Sequence, residues 1–443
     1  MHDLVIRSGT ILDGSGAEAF EGDVAIDGDL ITGVGEVGPA HRELDARGLL
    51  VAPGFVDMHT HYDAQVTWDP FITPSGGHGV TTVVMGNCGV GFAPARADRR
   101  EWLIAMMEGV EDIPGSALAD GIEWDWETFP EYLDALASRR WVADVGTQVP
   151  HSALRAWVMD ERCADGIDAT PAKIARMADL VEEGLRAGAL GFSTSRTPFH
   201  RSIDGELVPG TSASVDELLG IAGGIAAAGH GVFECALHHT EVPESFGWLR
   251  AVAETTGLPT VFNFNIPDTA PELWRDVLVL LEHADRDGIE VYGQVAGRPV
   301  GVLMSWDGTV NPFLGRPTFE ALRPLDRLDR LARLREPATR DAILSERSLD
   351  DRSVVQFITR THERMWRFER DADYEPAASE SLLALARGDR SKADALAYDH
   401  LNSEGGTGIL YFPFMNYAAG SLEPLRELHR HPRTRMGPVS YTH

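Results

Sequence analysis

Three cysteines in 443 residues, Cys88, Cys163 and Cys235, are too few and too widely spaced for a disulfide framework. Positive charge is also scarce: 39 Lys and Arg stand against 68 Asp and Glu, a formal net charge of -29. So acidic a chain repels phosphate backbones, which argues against nucleic acid as a partner. The acid is spread over helix faces without a block of like charge, the pattern of a solvated surface. No apolar run approaches the roughly 20 residues of a membrane span. The opening stretch MHDLVIRSGTILDG lacks the basic and apolar regions of a signal peptide, so no membrane partner and a cytoplasmic location are expected. Walker, Rossmann and nucleophile-elbow patterns are missing; the glycine-rich GHGVTTVVMGNCGVG has neither the lysine nor the helix start of a phosphate loop. Internal repeats and low-complexity tracts are missing as well.

What is present is a globular composition, with 43% hydrophobic and 24% charged residues. Residues 1–50 alternate apolar and polar positions in DLVIRSGTILDG and GDVAIDGDLITGVG, with Asp27-Gly28 suited to a tight turn between strands. This predicts a small N-terminal β-layer. From Leu49 short apolar runs alternate with amphipathic helices: LLVAPGFVDMHTH, GVTTVVMGNCG, WVADVGTQVPH, ALGFSTS, GVFECALHH, PTVFNFNIPD and IEVYGQVAGRP. Repeated βα units with buried strands mean a parallel sheet, and seven or eight of them favour an α/β fold of the TIM (β/α)8 type over residues 51–443. Residues 303–400 break the rhythm and read as a helical insertion before the last strand, suited to cover a barrel mouth. HPRTRMGPVSYTH reads as the start of strand eight, and the barrel end is expected to be truncated there.

The strongest chemical signal is GFVDMHTHYD, residues 54–63. His59 and His61 are two apart, so on a strand both imidazoles share one face. At the C-terminal end of a barrel strand that face is the mouth, where two imidazoles are natural ligands for a divalent metal. Asp63 follows and is placed to orient a ligand ring. Cys88, in the glycine-flanked loop GNCG, offers a thiolate for the same ion; the competing reading is a small buried hydrophobe. His238 and His239 in ECALHHTE are further ligand candidates. Arg298 and Arg196 are candidates for a substrate carboxylate, because guanidinium pairs bidentately with one, and structural roles compete for each. His151, at the end of QVPH, points toward the same mouth.

GLLVAPGFVDMHTHYDAQ resembles the strand-one signature of the amidohydrolase superfamily, and GVTTVVMGNCGVGFAP resembles its D-aminoacylase and N-acyl-D-amino-acid deacylase branch. The resemblance runs from about residue 1 to residue 434. It implies that Cys88 ligates metal in place of a bridging carboxylated lysine, and the strand-four end GFSTS indeed has no lysine. It implies a histidine ligand after strand five, which His238 or His239 would supply. After strand six, where the family usually has another histidine, this chain has Asn263 and Asn265, poor zinc ligands. One tightly held zinc is therefore expected, with a second in doubt. The family's general base, an Asp after strand eight, is replaced near its place by Ser440, which cannot take a proton as a carboxylate does. The implied reaction is zinc-dependent hydrolysis of an N-acyl-D-amino acid, a small-molecule substrate. The alternatives are a hydantoinase-like cyclic amide hydrolase and a metal-binding barrel without turnover. An open sheet edge left by truncation would make the chain marginally stable or a homo-oligomer.

Overall fold

The computed structural model describes residues 1–160, 163, 166–308, 310–368 and 373–437. They divide into two compact units. The first comprises Met1–Asp57, Phe71–Val83 and Val142–Asp144. Its centre is a five-stranded sheet in which His2–Ile11 pairs with Phe20–Asp27 on one side and with Ala40–Asp45 on the other. The turn to Leu30–Gly35 falls on Gly28 and Asp29, one residue later than the alternation suggested; Gly28 has φ +62°, which a tight turn of this kind requires. Val5, Ile11, Val24 and Ala25 are buried in this layer. Large apolar residues are nevertheless exposed in the same unit, among them Leu30, Ile31, Val34, Leu50, Phe55 and Val56.

The second unit comprises Met58–Pro70, Val84–Trp141 and Val145–His443. The α/β order is carried by eight parallel strands, of which Phe55–Asp57 and residues 80–83 and 144 fall in the first unit: Phe55–Asp57, Val80–Met85, Asp144–Pro150, Gly191–Ser195, Val232–Ala236, Thr260–Asn263, Val291–Val295 and Thr434–Met436. They lie in the sheet in chain order, as expected for successive βα units. Among the described residues, no pairing is seen between the first and the eighth strand. Strand four is buried at every position, which is why GFSTS reads as a run without alternation.

The helices between strands follow local rules. Phe129–Ala137 starts on a capping box, in which Thr128 Oγ1 accepts from the Glu131 N–H and the Glu131 carboxylate accepts from the Thr128 N–H. Pro171–Ala187 starts on its proline and stops at Gly188.

The insertion is not simply helical. Val300–Met304, Ile409–Met415 and Trp366–Phe368 form an antiparallel three-stranded sheet, with Ile409–Met415 in the middle. Short helices such as Arg327–Leu334 and Arg390–Leu401 surround it. The segment has its own core, built on Trp306, Phe313, Leu334, Tyr398, Leu410 and Phe412. Val300–Met304 straddles the start of the range 303–400 and Ile409–Met415 lies beyond its end, so reading that range alone concealed their pairing.

Candidate metal centre

The site begins with backbone. Strand one ends at Asp57, and the Thr60 N–H and side chain both bond the Val84 carbonyl, which pins the HTH segment beside strand two. Strand two ends at Met85 in the turn Gly86-Asn87-Cys88-Gly89. Gly86 has φ +74°, and a Cβ there would lie 2.3 Å from the Gln148 carbonyl oxygen. Gly89 has φ +70°, and its Cβ would lie 2.9 Å from Thr194 Cα. Both contacts explain why glycine brackets the cysteine. Asn87 locks the turn, donating to the Thr60 and Val84 carbonyls and accepting from Gln148 Nε2.

Cys88 itself holds φ +53°, a left-handed conformation that costs a side-chain-bearing residue on the order of 1–3 kcal/mol. Its N–H donates to Glu234 Oε2 at 3.0 Å, which helps keep it there. Its Sγ lies 3.1 Å from His59 Nε2. His59 Nδ1 is 2.8 Å from Gln294 Oε1 and 3.8 Å from Glu234 Oε1. Burial lowers the His59 imidazole to about 4, so the ring is neutral. Its Nδ1–H is donated to Gln294, and the Nε2 lone pair faces the sulfur. His61 is also buried, its ring edge-on to His59 at 5.4 Å between centroids.

One ligand atom each of His59, His61 and Cys88 lie within 4.8 Å of one another. Two imidazoles and a thiolate are a donor set suited to zinc. Around a tetrahedral zinc, nitrogen and sulfur ligands stand about 3.6 Å apart, close to the 3.1 Å seen between His59 and Cys88. The residues therefore fit a bound metal.

Three buried carboxyls surround the cluster. Glu234 is pushed up to about 8 and Asp63 to about 7, both by burial. Glu111 is raised by burial and by the neighbouring Asp63 and Asp112 carboxylates. Its Oε1 is 3.3 Å from His61 Nε2. The pH consequence for the metal-free protein has a definite sign. Folded values above the ordinary carboxylate value mean that the folded chain binds more protons than the unfolded one. The stability tied to these groups is fully present below about pH 4 and is lost as pH rises through their folded values. Chelator-treated protein is expected to lose urea midpoint between about pH 5 and pH 8, and Glu234→Gln to lose less. Equal slopes for the two proteins would count against this placement of Glu234.

The other sequence candidates are not part of this three-residue group. His239 is buried near Asn263 Nδ2, at 3.3 Å, and burial lowers it to about 3. His238 stacks on Phe199 and pairs with Thr240 Oγ1. Neither belongs to the three-residue group. Asn263 Oδ1 accepts from the Leu237 N–H, and Asn265 Oδ1 from Asn416 Nδ2. Arg196 donates to the Gly210 and Ala213 carbonyls and lies over the Trp248 ring, so its guanidinium is engaged inside the loop after strand four. Arg298 is half-buried and donates to the Pro299 carbonyl at 3.5 Å.

His151 does not face the mouth. It opens the helix His151–Met159, and its two ring nitrogens meet Thr194 Oγ1 at 2.8 Å and Glu217 Oε1 at 2.9 Å. Ser440 lies outside the described residues. Glu111, Glu234, Gln294 and His200 escaped the sequence reading. His200 is buried and bonded to Ser195 Oγ, and burial, with a smaller push from His59, lowers its ring to about 4. A signal existed for Glu234, since an acid in the middle of the apolar strand VFECA needs a reason. Nothing in spacing distinguishes the others.

Sheet order and cluster together define an α/β barrel-type protein with a candidate metal centre at its strand ends. The chain belongs to the amidohydrolase family, whose model matches residues 42–400. It is 38% identical over 194 residues to a D-aminoacylase of Alcaligenes xylosoxydans xylosoxydans, covering 43% of this chain and 37% of that one. An N-acyl-D-glutamate deacylase of the same organism is 31% identical over 341 residues, covering 74% and 60%. The fold matches an N-acyl-D-glutamate deacylase from Bordetella bronchiseptica, solved with zinc and a phosphonate inhibitor. That match has a TM-score of 0.61 and 22% identity, covering 99% of this chain and 76% of that one. The chain thus covers 37% and 60% of these two curated relatives' lengths, under two thirds of each. Among the described residues no helix is long and apolar enough to cross a membrane.

Proposed function

We propose that this site binds one zinc ion on His59, His61 and Cys88 and serves the hydrolysis of N-acyl-D-amino acids to a carboxylate and a free D-amino acid. The observation that carries the reading is the convergence of two imidazoles and a cysteine sulfur, held on left-handed backbone, within 4.8 Å. The similarity to deacylases supplies the substrate class. His59, His61 and Cys88 would hold the zinc, which would supply Lewis-acid polarisation of an amide carbonyl and activation of a water. Gln294 holds His59 in the tautomer whose Nε2 lone pair faces the ion. Glu234 fixes the Cys88 backbone. Arg298 is proposed to receive the substrate carboxylate. His238 and His239 lie outside the group, which supports one metal rather than two.

A reading without turnover is favoured by one observation, Ser440 near the place of the family's basic Asp. The test is elemental analysis of the purified chain alongside hydrolysis of N-acetyl-D-amino acids and of hydantoins. Zinc with release of D-amino acid supports the deacylase reading. Zinc without turnover selects the silent barrel, hydantoin turnover selects the cyclic amide hydrolase, and absence of zinc sinks the metal site.

A further inference from the structure

We propose that Glu111 is a positioning residue for the metal centre, accepting a hydrogen bond from the His61 ring so that the ring's other nitrogen presents its lone pair to the ion. This rests on the metal reading above. Glu111 closes the helix Arg100–Glu111, far from the HTH segment in sequence, yet its Oε1 stands 3.3 Å from His61 Nε2 with both side chains buried. It remains outside the three-residue ligand group.

A glutamate is an unfavourable choice for that place on structural grounds alone. The last turn of a helix carries the negative end of the peptide dipoles, and Asp112 follows directly. Burial removes the water that would solvate the carboxylate. A neutral isostere would pack as well without an ionisable group in that place, so the carboxyl answers to the ring beside it. Neutral imidazole carries one N–H and one lone pair, so a carboxylate at one nitrogen dictates which nitrogen can ligate. The helix is itself held close: at Gly109 a Cβ would lie 2.3 Å from the Ser202 carbonyl carbon. That close packing sets how far Glu111 reaches toward His61.

The experiment measures zinc affinity by chelator competition and the melting temperature of the metal-free protein, for wild type, Glu111→Gln and Glu111→Asp. Both substitutions are expected to weaken zinc binding by roughly 10–100-fold, the usual effect of losing a ligand's orienting partner. Metal-free Glu111→Gln is expected to melt at or above the wild-type temperature, because a buried carboxyl is gone. Zinc affinity within about twofold of wild type in both variants would reduce Glu111 to packing and overturn the proposal. Complete loss of zinc at a fully folded melt would make Glu111 a ligand and overturn it equally. If wild type itself holds no zinc, the metal reading fails instead.

Discussion

Cys88→Ala and His59→Ala proteins are expected to come off purification without bound zinc, whereas His238→Ala keeps the wild-type content. Each removes one of three converging donors. The binding free energy of a zinc held by several thiolate and imidazole ligands is large, on the order of 10 kcal/mol, and depends on all of them together. Loss of one ligand leaves two, which cannot hold the ion against a chelator during preparation. Cys88→Ala has a second consequence of opposite sign. Alanine retains a Cβ, so the left-handed backbone at residue 88 stays strained. Cys88→Gly relieves that strain, so its metal-free form is expected to be the more stable of the two by about 1 kcal/mol. Full zinc occupancy in both ligand variants would refute the centre. His238→Ala tests specificity, because that ring is partly exposed and occupied by Thr240 and Phe199.

Arg155→Ala is expected to destabilise the fold by about 3–5 kcal/mol without changing zinc content in the protein that remains folded. Arg155 is 2% exposed, and its guanidinium bonds both oxygens of Glu217, a residue with no exposure at all. Glu217 also takes His151 Nε2, and together these partners hold its carboxyl below the usual range despite burial. Removing the arginine leaves a buried carboxylate with His151 and the Ala169 backbone N–H but no fixed positive charge beside it. Paired substitution Arg155→Met with Glu217→Leu removes both charges and is expected to recover much of the loss, since hydrophobic replacement of a whole buried ion pair is often neutral. Urea midpoints of the single and double variants decide the matter; equal midpoints for wild type and Arg155→Ala would show that the network contributes little.

That network marks the limit of what the sequence made legible. The strands could be read because buried parallel strands are short apolar runs between amphipathic helices, a pattern local to each βα unit. His59 and His61 could be read because strand geometry converts a spacing of two into one shared face. The turn holding Cys88 could be read as well, since glycines at 86 and 89 announce backbone that other residues cannot follow. His151 looked like a mouth residue because it ends QVPH. A helix starts on it instead, and its partners Thr194 and Glu217 lie on other elements. Glu111 and Gln294 were invisible for the same reason: they meet His61 and His59 across large sequence separations, and no local pattern encodes such meetings. The antiparallel sheet in the insertion depends on pairing between residues 300–304 and 409–415, about a hundred positions apart.

The exposed apolar residues of the N-terminal layer carry a consequence for how the protein behaves in a tube. Leu30, Ile31, Leu50 and Phe55 are each at least 64% exposed, so water meets hydrocarbon across that unit. Any contact that covers them, a second copy included, binds the folded state and not the unfolded chain, so mass action ties stability to protein concentration. The melting temperature of this chain is then expected to climb with protein concentration, and Ile31→Lys to flatten that climb. A melting temperature independent of concentration would mean that this hydrocarbon stays wet and the layer stands alone.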